Sequence, residues 1–260
     1  MDLGIKQRTY VVTGGSSGLG LAGARALVAE GAQVAIVARS ADRVAQTVEQ
    51  LGSEAAVGIV ADLADATAAE RIVSAARAHF GRLDGALISV GGPPPGSALE
   101  TTDDLWRAGF EATFLGPLRL TRTLSQVLPD SSGPNTGTSG AILLVLSTSA
   151  RAPIPDLAVS NGLRPGLAGL TKQLGDEFGG RGIRVNSIAP GRFGTDRVAS
   201  LDARAGDPAE VRRTIEASIP LGRYGEAAEF GSLAAFVLSP RASYLTGTLL
   251  TIDGGASRQF

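Results

Sequence analysis

Cysteine is absent from the 260 residues, and histidine, methionine and tryptophan each occur once. Without cysteine there is no disulfide, no thiolate nucleophile and no thiolate metal site, so nothing requires an oxidising compartment and a cytoplasmic location is expected. With His79 the only histidine, a His-centred metal site or a Ser-His-Asp triad would have to use that residue. Its polar helix face marks it as a solvated surface position, and no metal is expected. An excess of either charge is also missing: 24 basic against 25 acidic side chains leave a net charge of -1. No global field gathers nucleic acid or an anionic membrane, and neither is expected as a partner. The N-terminus, Met1 to Arg8, lacks the apolar core of a signal peptide, and no later apolar run reaches the length of a membrane span. Neither export nor insertion is expected.

What is present is a globular composition, 43% hydrophobic and 19% charged. Short Val/Ile/Leu-rich runs recur at Tyr10–Val12, Val34–Val37, Val57–Val60, Ala86–Ile88, Ala141–Leu146, Ile183–Ile188 and Leu249–Ile252, each reading as a strand buried on both faces. Longer stretches with helical spacing lie between them: Leu21–Glu30, Ala41–Leu51, Ala66–Ala78, Leu105–Leu128 and Ala227–Leu238. This alternation predicts an α/β fold, a doubly wound Rossmann-type parallel sheet of about seven strands with helices on both faces. No linker divides the chain, so residues 1–260 are expected to form a single domain. Two loops stand out. Gly91–Gly96, stiffened by Pro93, Pro94 and Pro95, follows the fourth strand, where such sheets place ligand-binding loops. Pro129–Gly140 is small and polar and reads as a mobile surface insertion without function.

The first strand runs into Thr13-Gly14-Gly15-Ser16-Ser17-Gly18-Leu19-Gly20 and then into a helix. Glycines at such a junction permit a tight turn and let backbone N–H groups approach a pyrophosphate at a helix N-terminus. A glycine-rich turn alone also fits a plain tight loop, and the strand before and helix after favour the dinucleotide reading. The same spacing resembles the cofactor loop of the short-chain dehydrogenase/reductase family. Asp62-Leu63 resembles the pair that holds the adenine, Asn186 and Pro190-Gly191-x-x-x-Thr195 the segment that holds the nicotinamide end, and Asp253-Gly254-Gly255 the closing motif. These matches run in order from position 13 to 255. The resemblance implies cofactor contacts from Gly14, Ser16, Ser17, Gly18, Leu19, Asp62, Leu63, Ser89, Gly91, Pro190, Gly191 and Thr195. The end of the second strand reads Val37-Ala38-Arg39-Ser40. A carboxylate there binds the ribose 2′-hydroxyl of NAD, whereas a cation suits a 2′-phosphate, so NADP(H) is favoured over NAD(H) and Arg39 joins the cofactor set. Arg39 also fits a solvated residue at a helix start.

The family supplies a Tyr acid four residues before a Lys, together with a Ser and an Asn. Counted from Leu170-Thr171-Lys172, the Tyr position falls on Ser160, the Lys position on Arg164 and the Ser position on Ser147. Counted from Trp106, the Asn position falls on Thr113. No Tyr-x-x-x-Lys exists in the chain: Tyr10, Tyr224 and Tyr244 are followed four residues later by Gly14, Ala228 and Thr248. The resemblance thus assigns Ser147, Ser160, Arg164 and Thr113 to the catalytic positions, with Arg164 also on the ribose. A serine hydroxyl is far too weak an acid to replace a tuned phenol. Ser147 also fits a strand-end serine bonding backbone, Ser160 a helix-capping serine, and Arg164 a surface or ion-paired arginine.

Two functions follow. One is an NADP(H)-dependent oxidoreductase, similar to the 3-oxoacyl-carrier-protein reductase branch, acting on a carbonyl or alcohol through a non-standard site. The other is a non-catalytic nucleotide-binding sensor or partner subunit. Pro93, Pro94, Pro95, Ile154, Leu157, Val159 and Phe193 are expected around the pocket and imply an apolar small-molecule substrate. Asp156, Arg151, Arg192 and Arg197 are expected at its border. The family's helix pairing implies a homodimer or homotetramer through Phe114, Leu118, Leu167 and Leu170. Pro165, with Gly162 and Gly166, predicts a helix that begins or kinks near Pro165.

Overall fold

A computed structural model of the chain describes residues 2–129 and 140–258. In order the elements are β1 (Thr9–Thr13), α1 (Gly18–Ala29), β2 (Gln33–Ala38), α2 (Ala41–Leu51), β3 (Ala56–Val60), α3 (Ala68–Phe80), β4 (Gly85–Ile88) and α4 (Asp103–Phe110). A π-helical turn, Glu111–Leu115, then leads into α5 (Gly116–Ser125) and β5 (Ala141–Val145). After a short 3₁₀ turn at Thr148–Ala150 come α6 (Ala158–Gly179), β6 (Arg184–Pro190), α7 (Asp196–Ala205), α8 (Pro208–Ser218), α9 (Ala227–Leu238) and β7 (Leu249–Ile252). The strands form one parallel sheet in the order β3-β2-β1-β4-β5-β6-β7. This is the doubly wound Rossmann-type fold expected from the alternation of apolar runs and amphipathic stretches.

Side chains of alternate parity leave each strand on opposite faces, so the sheet has two cores. Val11, Ile88, Leu144 and Val185 pack with Ile72, Leu120 and Leu167 on the face that carries α3, α5 and α6. Tyr10, Val12, Leu87 and Leu143 pack with Leu27, Phe230 and Ala234 on the face that carries α1 and α9. The strand order reverses between β1 and β4, which opens a crevice at their C-terminal ends.

Three local expectations need correction. The apolar runs of β3 and β7 are half-exposed rather than buried on both faces, because they are the rims of the sheet and lack a neighbour on one side. The stretch read as one helix from Leu105 to Leu128 is two helices joined by the π turn. One extra residue per turn there shifts the helical period and re-aims everything after Phe110.

The third correction concerns α6, which runs unbroken from Ala158 with Pro165 inside it instead of starting at that proline. A proline inside a helix costs about 3 kcal/mol, but burial of Val159 and Leu167 returns about 1.5–3 kcal/mol each. Polar anchors hold the first turns as well. The Asn161 side-chain amide bonds both N and O of Ile154 at 3.0 and 2.8 Å, and the Arg164 guanidinium donates to the Val145 carbonyl at 2.8 Å. The small polar loop read at Pro129–Gly140 has positions 130–139 outside the described residues.

Behind the crevice, Arg184 on β6 is buried and gives its two Nη atoms to four carbonyls. Nη1 reaches Val237 and Leu245 at 2.9 and 3.3 Å, and Nη2 reaches Leu238 and Ser239 at 3.3 and 3.0 Å. Three of these oxygens close the C-terminus of α9, where the helix dipole favours a cation. Burial still pushes the guanidinium down to about 10.

Candidate dinucleotide and substrate cleft

The crevice is a cleft of about 600 Å³ lined by residues from the ends of β1, β4, β5, β6 and β7. On one side, β1 stops at Thr13, whose hydroxyl donates to the Ser89 carbonyl at 2.7 Å and draws the exit of β4 against the glycine loop. Gly14 has φ +58, and a Cβ there would lie 2.7 Å from the same carbonyl, so only glycine fits. Gly20 is packed against the Gly14 carbonyl with no room for a side chain. Ser17 caps α1 with extended backbone, makes no side-chain cap hydrogen bond, and no acidic residue stands in the first turn. The hydroxyl and the first-turn N–H groups are left for an anion, and the residues fit a pyrophosphate.

Gly14, Ser17, Gly18, Leu19, Ser89, Gly91, Pro190, Gly191, Thr195 and Arg164 all line this cleft. Ser16 does not, nor do Arg39, Asp62 and Leu63, which lie beyond it at the ends of β2 and β3. Arg39 Nη1 stands 3.9 Å from Asp62 Oδ2, with the arginine side chain 80% exposed. Asn186, read with the nicotinamide segment, turns away from the cleft. Its amide donates to the Leu245 carbonyl at 2.7 Å and accepts from Thr248 N at 3.3 Å, so it binds the chain leading into β7.

The opposite side carries the polar cluster. Ser147 caps the 3₁₀ turn that follows β5 and its hydroxyl accepts from Ser149 N at 3.1 Å; Ser149 Oγ and Ser160 Oγ share a hydrogen at 2.9 Å. Ser149 is buried, and its part in the cluster escaped sequence reasoning because the motif spacing runs from Ser147 to Ser160 and skips it. One turn along α6, Arg164 is 4% exposed and lines the cleft. Among the described residues its sole hydrogen bond is the one from Nη1 to Val145; Nε is buried without a partner, and no carboxylate pairs with it. Burial pushes the guanidinium down to about 10, which leaves it cationic at neutral pH. The ion-paired alternative for Arg164 therefore fails. Thr113 is not brought to the cleft: it is buried in the π turn and donates to the Gly109 carbonyl at 2.6 Å.

The walls are apolar. Pro93, Ile154, Leu157 and Phe193 line the cleft as expected, whereas Pro94, Pro95 and Val159 do not. Of the expected border residues, Arg192 and Arg197 reach it and Arg151 and Asp156 do not, Arg151 bonding Thr251 and the Leu249 carbonyl. Arg197 on α7 donates to the Pro93 carbonyl at 2.8 Å, fastening α7 to the loop after β4. Arg192 pairs with the buried Asp202 at 2.7 Å, which accepts from the Tyr224 hydroxyl at 3.0 Å. Burial, with that carboxylate as acceptor, pushes the Tyr224 phenol up to about 12.

The family profile described as Enoyl-(Acyl carrier protein) reductase matches residues 14–257. Levodione reductase of Leifsonia aquatica is 33% identical over 267 residues, covering 97% of this chain and 95% of that protein. The 3-oxoacyl-[acyl-carrier-protein] reductase of Salmonella typhimurium is 32% identical over 247 residues, covering 94% of this chain and 95% of its own. The structure of L-sorbose reductase from Gluconobacter frateurii, complexed with NADPH and L-sorbose, superposes with a TM-score of 0.90 at 28% identity over the whole of both chains. Sheet order, glycine loop and these matches together place the chain in the short-chain dehydrogenase/reductase family.

Proposed function

We propose that the chain is an NADP(H)-dependent oxidoreductase acting on a carbonyl or alcohol, through a site in which Ser160 and Arg164 stand where the family has tyrosine and lysine. The observation that carries this reading is the single cleft that joins the glycine loop and the α1 N-terminus to Ser147, Ser160 and Arg164. The glycine loop and Ser17 bind the pyrophosphate, Asp62 and Leu63 the adenine, and Arg39 forks onto the 2′-phosphate. Arg164 lends its buried cation to the ribose hydroxyls and the reacting oxygen, and Ser147 and Ser160 orient the carbonyl. The nicotinamide, when bound, supplies the hydride. Pro93, Ile154, Leu157 and Phe193 keep bulk water from the reacting face and select an apolar small molecule.

The relatives support the nicotinamide chemistry, since the sorbose reductase structure is named as complexed with NADPH. The Ser160 hydroxyl, already shared with Ser149, favours a second reading in which nucleotide binding persists without turnover and the protein serves as a sensor or partner subunit. Calorimetric titration with NADPH and NADH, followed by NADPH oxidation with a panel of ketones and enones, separates the two. Micromolar NADPH binding with turnover of any member supports the oxidoreductase; binding without turnover supports the second reading.

A further inference from the structure

The charged residues that line the cleft are Arg164, Arg192, Arg197 and Arg258 against Asp196 and Asp253. Several of these charges are already engaged. Arg192 pairs with Asp202 at 2.7 Å, Asp253 accepts from Gly255 N and Ser257 N at 2.9 and 2.7 Å, and Arg164 is buried on the Val145 carbonyl. Among the described residues no carboxylate pairs with Arg197 or Arg258, Asp196 included. Arg197 is nevertheless fixed in place. Its Nη2 donates to the Pro93 carbonyl at 2.8 Å, and a Cβ on Gly92 would lie 3.1 Å from Nη2 and 3.5 Å from Cζ and Nε, so the guanidinium rests on bare glycine backbone. Gly92 and Pro93 both line the cleft, which puts the charged end of Arg197, and not only its stem, at the cleft wall. Its Nε and Nη1 make no hydrogen bond among the described residues. Partial burial and then the Arg204 cation disfavour its charge, so an anion beside it relieves both. Around it the walls are apolar, with Val198 and Leu201 of α7 and Ile215 of α8 lining the same cleft as Ile154 and Leu157.

We propose that the substrate is an oxo acid whose apolar body lies among these walls and whose carboxylate is held by Arg197. The inference rests on the oxidoreductase reading above and names its substrate class. A planar guanidinium matches a carboxylate with two parallel N–H donors, and Arg258 adds a second cation to the same cleft. The reaction itself is unchanged. The hydride forms a C–H bond at the carbonyl carbon, the carbonyl π pair moves onto oxygen and takes a proton from water, and the reduced dinucleotide loses two electrons. Ser147 and Ser160 hold such a molecule at its reacting end only. A second anchor on α7 fixes its direction as well, and in a cleft lined by no tyrosine, lysine or histidine positioning carries more of the catalysis.

The test uses the full chain with NADPH and a series of oxo acids, 4-oxopentanoate, 5-oxohexanoate and 6-oxoheptanoate, each beside its methyl ester. At least one acid should exceed its ester by about tenfold in kcat/KM. Arg197→Met should erase that difference by slowing the acid alone, and Arg197→Lys should keep part of it. NADPH affinity should not move in either variant. Loss of support for the Pro93 loop, by contrast, slows acid and ester together. A second readout needs no turnover: by calorimetry, hexanoate should bind the complex with NADP+ about tenfold tighter than hexanamide, and Arg197→Met should abolish the preference. Esters reduced as fast as acids throughout, acid and ester slowed alike by Arg197→Met, or a preference for the acid that persists in that variant each overturn the proposal and leave the oxidoreductase reading intact. So does a loss of NADPH affinity in Arg197→Met, which assigns the guanidinium to the cofactor phosphates. No hydride transfer to any member, with hexanoate still preferred, overturns the oxidoreductase reading and keeps the carboxylate subsite; no transfer and no preference overturns both.

Discussion

Restoring a phenol to α6 tests the assignment of the reacting positions most directly. In Ser160→Tyr with Arg164→Lys, the new hydroxyl enters a cleft of about 600 Å³ from a helix that is continuous through this position. General acid catalysis contributes about 10²–10⁴-fold, or about 3–5 kcal/mol of barrier, and reduction of a simple ketone should rise by that order. The substitution removes the partner of Ser149 Oγ, which is 2% exposed. An unpaired buried hydroxyl costs about 1–3 kcal/mol of stability, so the variant should melt several degrees lower while reacting faster. NADPH affinity should stay within a few-fold, because the glycine loop and Arg39 are untouched. Steady-state NADPH oxidation with cyclohexanone, alongside a binding titration and a melt, measures all three. Thr113 stays buried in the π turn, so the gain is expected toward the lower end. If the wild type already reduces the ketone at ordinary enzyme rates and Ser160→Ala leaves that rate unchanged, the acid lies elsewhere and the reasoning fails.

Arg39→Asp should reverse the preference for NADPH over NADH. A charge-assisted fork on so exposed a side chain is worth about 1–2 kcal/mol, roughly tenfold in Kd, and equal wild-type affinities for the two cofactors would contradict it. Tyr224, with its phenol raised from 10.0 to about 12 by burial and Asp202, contributes stability that is fully present below pH 10. That contribution is lost as pH rises toward 12, because the folded state holds the proton more tightly than the unfolded one. Thermal melts of Tyr224→Phe should therefore fall less steeply than wild type across that interval, and parallel slopes would refute the linkage. Arg184→Met strips the cation from four carbonyls and should cost more than about 3 kcal/mol in urea unfolding; a loss under 1 kcal/mol would show that those oxygens find other partners. A homodimer or homotetramer is expected in solution through Phe114, Leu118 and Leu170, although Leu167 is committed to the core. A monomeric mass by light scattering at micromolar concentration would count against it.

The sheet was legible because apolar runs and helical spacing are properties of neighbouring residues. Helices at Ala41–Leu51 and Ala227–Leu238 were placed to the residue. The glycine loop was equally plain, since only glycine tolerates the approach of the Ser89 carbonyl. What stayed hidden depended on distant partners. Local propensity put a break at Pro165, yet burial of Val159 and Leu167 against the sheet carries α6 through it. The π turn adds a single residue to one turn, too little to disturb an amphipathic pattern over twenty positions. Ser149 and Asn186 show the same limit from both sides: one joined the cluster unannounced, and the other, counted with the cofactor segment, serves the backbone.

Arg184 and Asn186 share β6, the buried strand beside the rim, and both reach into the connection between α9 and β7. As a rim strand with half-exposed side chains, β7 would by position be among the first segments to fray. Opening the turn before it, however, strips a partner from an interior guanidinium and from a buried amide at once. Its backbone is thereby tied to the opening of β6, and its amide hydrogens are expected to exchange with solvent more slowly than those of an untied edge.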